Sequence, residues 1–243
     1  MTTMLVPVQR AHIGTHFRAF GLRGQAALID PFINVDHAWM SAPTFPPHPH
    51  AGFSAVSYVF LDSETGIENR DSLGTHNLIR PGGLHWVTAG SGVVHQEDPA
   101  EAGKTVHALQ IFVALPVDKQ NMTPFPLSLE PGNVPVAHLP GATVRVPLGR
   151  FAQMRSPLMP PTDVTMLDIT LEAGTELVVP IPPGESAFVM PIFGPALVNG
   201  RRVDREGLAL PVFHAQADAQ AVTLNAPHAV AKVMVFSGAP LPR

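Results

Sequence analysis

The sequence contains no cysteine, which excludes disulfide bonds, thiolate nucleophiles, Cys-ligated zinc and iron–sulfur clusters. Charged residues make up only 14% of the chain and its net charge is -4, so we expect no direct binding to nucleic acid. No apolar run approaches the ~18 residues that span a membrane, and we expect no membrane partner. The first ten residues, MTTMLVPVQR, lack the basic and apolar regions of a signal peptide. These absences predict a cytoplasmic protein.

Proline and glycine are abundant and spread along the whole chain. The 27 prolines and 20 glycines make up about a fifth of the 243 residues, which leaves little room for long helices. Hydrophobic residues make up 45% of the chain, as in a globular protein. Asn199-Gly200 between two short apolar or basic stretches is typical of a tight β-hairpin. Apolar stretches recur between the turns and predict an all-β sandwich or barrel, at residues 55–61, 106–115, 164–171, 175–181, 187–193 and 231–236.

The two halves of the chain resemble each other weakly. Residues 53–60 can be aligned with 186–193, and residues 108–115 with 232–239. A proline-rich segment at 116–161 lies between the halves and is interpreted as the crossing from one to the other. This internal similarity indicates a duplicated barrel.

Four potential metal ligands occur as two pairs with the same spacing. His48 and His50 are separated by one residue, as are His95 and Glu97, and on a strand such residues point to the same face. The pairs lie 45 residues apart, which is enough for several short antiparallel strands and a return. Neighbouring strands of one barrel would then present all four side chains to one point. Three imidazoles and a carboxylate suit Fe(II), Mn(II), Ni(II), Cu(II) or Zn(II).

Several longer stretches resemble the pirin family of bicupins. They are DPFINVD at residues 30–36, HPHAGF at 48–53, PGGLHWVTAGSGVVHQE at 81–97 and HALQI at 107–111. The resemblance covers nearly the whole first half and is looser in the second half.

The resemblance implies a fold and a site. The fold is all-β, with two tandem cupin (jelly-roll-like) barrels: residues 1–125 bind the metal, and residues 126–243 form a metal-free barrel. The family's ligands, three histidines and a glutamate, fall on His48, His50, His95 and Glu97. The implied cofactor is one divalent metal, Fe(II) above all, with Mn, Ni, Cu or Zn as alternatives.

The sequence departs from the family's pattern in three places. Ser54 stands where relatives commonly have glutamate, so one potential acid or base is missing. His85 replaces a glutamine near the expected cavity. The chain ends at Arg243, where relatives often continue with a tail, and this predicts a more open pocket or barrel interface.

The remaining candidates have plainer interpretations. Four aromatic residues near the ligands in sequence could form an apolar pocket for a planar substrate, or belong to ordinary core: Trp39, Phe45, Phe53 and Trp86. Among the other histidines, His12 and His16 are expected to be structural, His107 a hydrogen-bonded core residue, His37 and His76 loop residues, and His214 and His228 isolated.

Two functions of different classes follow from the resemblance. The first is an iron-dependent dioxygenase of the quercetinase type, which cleaves a small planar aromatic flavonol with dioxygen, Glu97 acting as ligand and as the base that takes the substrate proton. The alternative is a redox-responsive regulator whose iron oxidation state changes its affinity for a protein partner. A cupin enzyme of another kind, such as an isomerase, is the third option, since a fold does not determine a function.

Overall fold

The computed structural model describes residues 3–242, so Met1, Thr2 and the terminal Arg243 lie outside the described part. Frequent prolines and glycines divide the chain into short strands joined by tight turns. Twelve strands occupy the first half: β1 (Thr3–Pro7), β2 (Gln9–Ile13), β3 (Phe17–Leu22), β4 (Phe32–Met40), β5 (His48–His50), β6 (Phe53–Val59), β7 (Ile67–Asp71), β8 (His76–Ile79), β9 (Leu84–Thr88), β10 (Val93–Pro99), β11 (Val106–Ala114) and β12 (Phe125–Leu129).

The second half, in the same described part of the chain, adds another twelve strands. They are β13 (Val136–Leu139), β14 (Ala142–Leu148), β15 (Arg150–Phe151), β16 (Met154–Arg155), β17 (Val164–Leu171), β18 (Thr175–Ile181), β19 (Ser186–Phe193), β20 (Ala196–Val198), β21 (Arg201–Val203), β22 (Ala209–Phe213), β23 (Gln220–Ala226) and β24 (Ala231–Gly238). One α-helix of four residues, α1 (Ala26–Ile29), and three short 3-10 helices at Val117–Lys119, Pro131–Asn133 and Arg205–Gly207 complete the described structure. None of the helices within residues 3–242 has the length and apolar character needed to cross a membrane.

Apart from the two-stranded sheet of β15 and β16, the strands form two barrels, and each barrel is built from a seven-stranded and a four-stranded antiparallel sheet. The first barrel has the orders β12-β9-β6-β11-β4-β3-β2 and β5-β10-β7-β8. The second has β1-β22-β19-β24-β17-β14-β13 and β18-β23-β20-β21. Position by position, β6 corresponds to β19 and β11 to β24, as the internal similarity predicts. The all-β fold of two tandem jelly-roll-like barrels is therefore confirmed.

The two seven-stranded sheets pack face to face, and the largest apolar core lies between them. Phe32 of the first barrel makes edge-to-face contacts with Phe188 and Phe236 of the second, with ring centroids 5.4 and 5.5 Å apart. Because side chains alternate between the faces of a strand, Val56 and Tyr58 of β6 enter this interface. Ser57 between them points into the first barrel.

The interiors of the two barrels differ. Apolar side chains, among them Ile169, Val189 and Val222, fill the second barrel. In the first barrel, two small apolar clusters border a cavity. The cavity leaves room in the first barrel for a ligand. That the second barrel binds no metal stays a prediction.

Two edge strands show how the halves are joined. β1 pairs with β22 from Thr3↔Phe213 to Pro7↔Ala209. β1 thus occupies in the second barrel the position that β12 occupies in the first. β12, which starts at Phe125, pairs with β9 of the first barrel. A division of the chain into residues 1–125 and 126–243 remains our proposal. β1 lies before residue 125 but pairs in the second barrel, and most of β12 lies after residue 125 but pairs in the first.

Candidate metal centre

The predicted ligand pairs lie on neighbouring strands. β5 and β10 are antiparallel partners with the register Val93↔His50, Val94↔Pro49 and His95↔His48. β5 is short because proline flanks and separates its histidines in the sequence Pro46-Pro47-His48-Pro49-His50. The strand alternation directs both of its imidazoles to the same side. His95 reaches that side from β10.

The three imidazoles meet at one point. One ring nitrogen from each of His48, His50 and His95 lies within 4.8 Å of the others. The Nε2 atoms of His50 and His95 are 2.9 Å apart. Two nitrogens bound to one ion at right angles are about 3 Å apart, given metal–nitrogen distances of about 2.1 Å. These three side chains therefore form a site that can hold a metal ion.

The protonation of the imidazoles favours metal binding. Burial, then the neighbouring imidazole His95, lowers the pKa of His50 to about 4. Burial, then His48, lowers the pKa of His95 to about 4 as well, against the opposing effect of Asp71. Both rings are neutral near pH 7 and have a free lone pair. His48 Nδ1 lies 2.9 Å from the carbonyl of Pro46, which orients Nε2 toward the site.

Glu97 faces the same cavity, and its carboxylate contacts Ser57. Its carboxylate oxygens lie 2.8 and 2.7 Å from Ser57 Oγ. Burial raises the pKa of Glu97, while the hydrogen bond from Ser57 opposes that change. Within residues 3–242, the convergent group consists of His48, His50 and His95 without Glu97. The structure thus brings the three predicted histidines together. It places the predicted glutamate in the same cavity, with its carboxylate hydrogen-bonded to the hydroxyl of Ser57.

The cavity next to the histidines has a volume of about 230 Å³. Its wall is mainly apolar and includes Phe17, Ala38, Met40, Phe45, Ala108 and Phe112. An apolar cavity with a few polar groups is typical of a small-molecule site. This one can receive a small, mainly apolar molecule next to the three imidazoles.

Polar residues in or next to the seven-stranded sheet of the first barrel lie at this wall or directly beside it. Arg23, whose side chain is 38% exposed, forms two hydrogen bonds of 3.0 and 2.9 Å with the carboxylate of Asp36. Gln110 lies beside Ser57 in the β11–β6 ladder, and its Oε1 is 3.0 Å from Ser57 Oγ. The sequence interpretation missed these four residues as site residues. Ser57 and Gln110 nevertheless carry a signal, because each is a polar residue inside a mainly apolar strand.

The four aromatic residues suggested for a pocket divide between two faces. Phe45 lines the cavity, and Phe53 packs on His50 with ring centroids 5.2 Å apart. Trp86 is fully buried in the core between the barrels. Trp39 stacks on His107, with centroids 4.9 Å apart and planes within 7°. The ordinary-core interpretation therefore holds for Trp86, and the alternation of strand faces separates both tryptophans from the cavity.

The other histidines also have defined partners. His85 is buried, with Nδ1 2.9 Å from Ser128 Oγ, and burial lowers its pKa. His107 is the hydrogen-bonded core residue that was predicted. His37 was predicted in a loop and lies instead on β4, where it is 1% exposed. His76, also predicted in a loop, is on β8 and contacts Glu68 at 2.7 Å.

Two jelly-roll-like barrels with three convergent histidines in the first define a bicupin with a candidate metal centre. Residues 14–113 match the family model described as Pirin. A Pseudomonas aeruginosa protein named "Putative quercetin 2,3-dioxygenase" is 30% identical over 228 residues, which cover 88% of this chain and 76% of that protein. The chain belongs to the pirin family.

Solved structures agree with this assignment. The crystal structure of GK1651 from Geobacillus kaustophilus is 29% identical, with a TM-score of 0.88 over 99% of this chain and 96% of that chain. The bacterial pirin YhhW of Escherichia coli, solved in complex with nickel(II), is 18% identical, with a TM-score of 0.74 over 99% of this chain and 100% of that chain, and shows the fold alone. The match to Pirin-like protein 2 of Arabidopsis thaliana, 34% identical over 68% of this chain, spans half the length of that relative.

Proposed function

We propose that this protein is an iron-dependent dioxygenase that acts on flavonol-type aromatic substrates, of the quercetin 2,3-dioxygenase type. The convergence of three imidazoles beside an apolar cavity is the observation that carries the proposal. The name of the Pseudomonas aeruginosa relative supports the reaction class. The predicted cytoplasmic location belongs to the same proposal.

We assign separate roles to the residues around the cavity. His48, His50 and His95 would hold one Fe(II) ion, and Glu97 is proposed as a fourth ligand and as the base. The bound ion would supply a Lewis-acidic position for a substrate oxygen and for dioxygen. Phe45 and Phe112 would bind the aromatic rings and exclude water from them.

Glu97 suits the removal of a substrate proton. Its carboxylate faces the cavity, and in the metal-free protein burial raises its pKa above the ordinary value. A bound cation would lower that pKa, so Glu97 would have to loosen from the ion to act as the base. Since Ser54 cannot act as an acid or base, and Ser57 has a hydroxyl only, Glu97 is the acidic residue we assign to this step. Gln110, on the cavity wall, would orient the substrate through its amide.

The proposal is tested by metal content and dioxygen uptake with quercetin. We expect the native protein to bind one iron ion per chain and to consume dioxygen when quercetin is added. His50→Ala should weaken metal binding by roughly 100-fold or more, because it removes one of the three histidine ligands. His76→Ala is the matched control: this histidine lies on β8, and its side chain is 61% exposed.

The outcomes separate the candidate functions. Iron bound in the native protein, lost in His50→Ala and accompanied by dioxygen uptake, supports the dioxygenase. Iron without uptake on any flavonol would reject the enzyme and favour the redox-responsive regulator with a protein partner. Absence of metal from both proteins would reject the metal centre itself.

A further inference from the structure

Arg23 brings a charged group to a cavity whose wall is mainly apolar. It directly follows β3, and its Nε and Nη2 atoms donate hydrogen bonds of 3.0 and 2.9 Å to the two carboxylate oxygens of Asp36. This paired geometry leaves three of the five guanidinium N–H groups for another partner. Within residues 3–242 the guanidinium makes no further hydrogen bond. Arg23 therefore has donors that a ligand in the cavity can use.

Buried neighbours fix this arginine in place before any ligand binds. Asp36 is 8% exposed and accepts a third hydrogen bond, of 2.9 Å, from Asn34 Nδ2. Gly21 opposite Asp36 leaves the space that the carboxylate fills, since a Cβ there would overlap it. A binding group that is already held in one geometry loses less conformational entropy when its ligand arrives. The guanidinium is thus preorganised at the cavity wall.

Asp36 belongs to a row of inward-facing polar residues across the seven-stranded sheet. Gln110 of β11 lies opposite Asp36 in one ladder and opposite Ser57 in the next. Residues directly opposite one another share a face of the sheet, and Asp36 and Gln110 both line the cavity. The three histidines reach the same cavity from β5 and β10 of the four-stranded sheet. The cavity therefore has polar groups on two different sheets, and the rest of its wall is mainly apolar.

We propose that Arg23 binds an acidic oxygen of the substrate, a phenolate or a carboxylate, at the other end of the molecule from the oxygen that approaches the metal centre. A guanidinium forms stronger hydrogen bonds with such oxygens than a neutral donor does. The site thus selects aromatic molecules that have oxygen groups at both ends. The inference rests on the proposed function for the identity of the substrate, and its test needs neither dioxygen nor turnover.

The test compares the binding of two flavonols in the absence of dioxygen, by fluorescence titration. Quercetin has hydroxyl groups on both of its ring systems, whereas 3-hydroxyflavone has only the hydroxyl next to its carbonyl. A hydrogen bond to a charged group is worth about a factor of ten in an equilibrium constant. The preference for quercetin over 3-hydroxyflavone should therefore fall about tenfold in Arg23→Gln, because only quercetin loses a contact.

Two further variants control for charge and folding. Arg18→Gln makes the same substitution on β3, at a side chain that lies over the Trp39 ring and not at the cavity, and it should keep the native preference. Arg23→Gln combined with Asp36→Asn leaves no buried carboxylate unpaired, and it should show the same loss as Arg23→Gln. A preference that persists in Arg23→Gln, or that is lost equally in Arg18→Gln, would overturn the proposal.

A second pair of probes separates this inference from the choice of flavonols as substrates. Naphthoate and naphthamide share one ring system and differ in a charged group, and the preference for naphthoate should also fall about tenfold in Arg23→Gln. A preference that comes from a bound metal ion would survive that substitution and would count against the proposal. Binding of naphthoate that depends on Arg23, without binding of either flavonol, would reject the proposed substrate and support the role of Arg23. Dioxygen uptake on quercetin with unaltered preferences would reject only the role of Arg23.

Discussion

Gly21 lies next to the cavity residue Asp36 and has no room for a larger side chain. It lies on β3 opposite Asp36 of β4, and a Cβ at this position would overlap the Asp36 carboxylate. We expect Gly21→Ala to displace the Asp36–Arg23 ion pair and to lower the free energy of unfolding by about 1–3 kcal/mol. Chemical denaturation measures the change. Gly132→Ala is the control, since nothing lies within 4 Å of its added methyl group, and equal losses in both variants would contradict the argument.

Residue patterns predict the ligands of the site better than their supports. His48, His50 and His95 are recognisable because the spacing of two residues places ligands on one face of a strand. Asp36 and Arg23 are not recognisable in this way, since their contact depends on the pairing of β3 with β4 and on the absence of a side chain at Gly21. Ser57 falls between these cases. Its polarity in an apolar strand is visible, and its partner Glu97, 40 residues away, is not.

At the scale of elements, β1 connects the start of the chain to the second barrel. Its inward-facing Val6 is 2% exposed in the core between the sheets, whereas Leu5 is 41% exposed. We expect Val6→Ala to lower the free energy of unfolding by about 2 kcal/mol, through lost burial and a small cavity. Leu5→Ala, on the opposite face, should change it by less than about 0.5 kcal/mol. Thermal unfolding compares the two, and an equal effect would contradict this placement of β1.

Local signals predict the hairpin and the repeat but not the edge strands. Asn199 and Gly200 have positive φ values of 49° and 76°, as the tight turn between β20 and β21 requires. The similarity of residues 53–60 to 186–193 predicts that β6 and β19 occupy equivalent places, and the sheet orders agree. The pairing of β1 with β22 joins residues about 200 positions apart, and no short-range pattern specifies such a partner.

At the scale of the whole molecule, polar contacts cross the apolar interface between the barrels. Tyr58 of the first barrel donates a 2.8 Å hydrogen bond to Asp168 of the second, and Lys232 pairs with the same carboxylate at 3.2 Å. The repeat predicts two barrels without predicting their mutual orientation. In the sequence, Tyr58, Asp168 and Lys232 belong to strands without a distinctive pattern. Their contacts depend on which faces of the two seven-stranded sheets meet.

A second set of polar side chains borders the same interface and includes two buried histidines. His37 and His107 place their Nε2 atoms 2.6 Å apart, and Asp62 contacts His107 Nδ1 at 3.0 Å. Cationic side chains also face the pair: Arg18, Arg205 and Lys232. Burial, followed by the second imidazole and these cations, lowers the pKa of His37 well below its ordinary value. Burial also lowers the pKa of His107, although Asp62 opposes the change.

The pair should therefore make the metal-free protein less stable in mild acid. A histidine whose pKa is lowered in the folded state takes up its proton more readily when the chain unfolds. Its contribution to stability is complete above the unfolded pKa of about 6.5 and is lost as the pH falls below that value. We expect the unfolding midpoint in urea to drop between pH 7.5 and 5.5. His37→Gln should reduce this pH dependence, because one buried imidazole no longer has to be kept neutral, whereas the exposed His12→Gln should preserve it. A pH dependence that is unaltered by His37→Gln would show that the pair does not link proton uptake to unfolding.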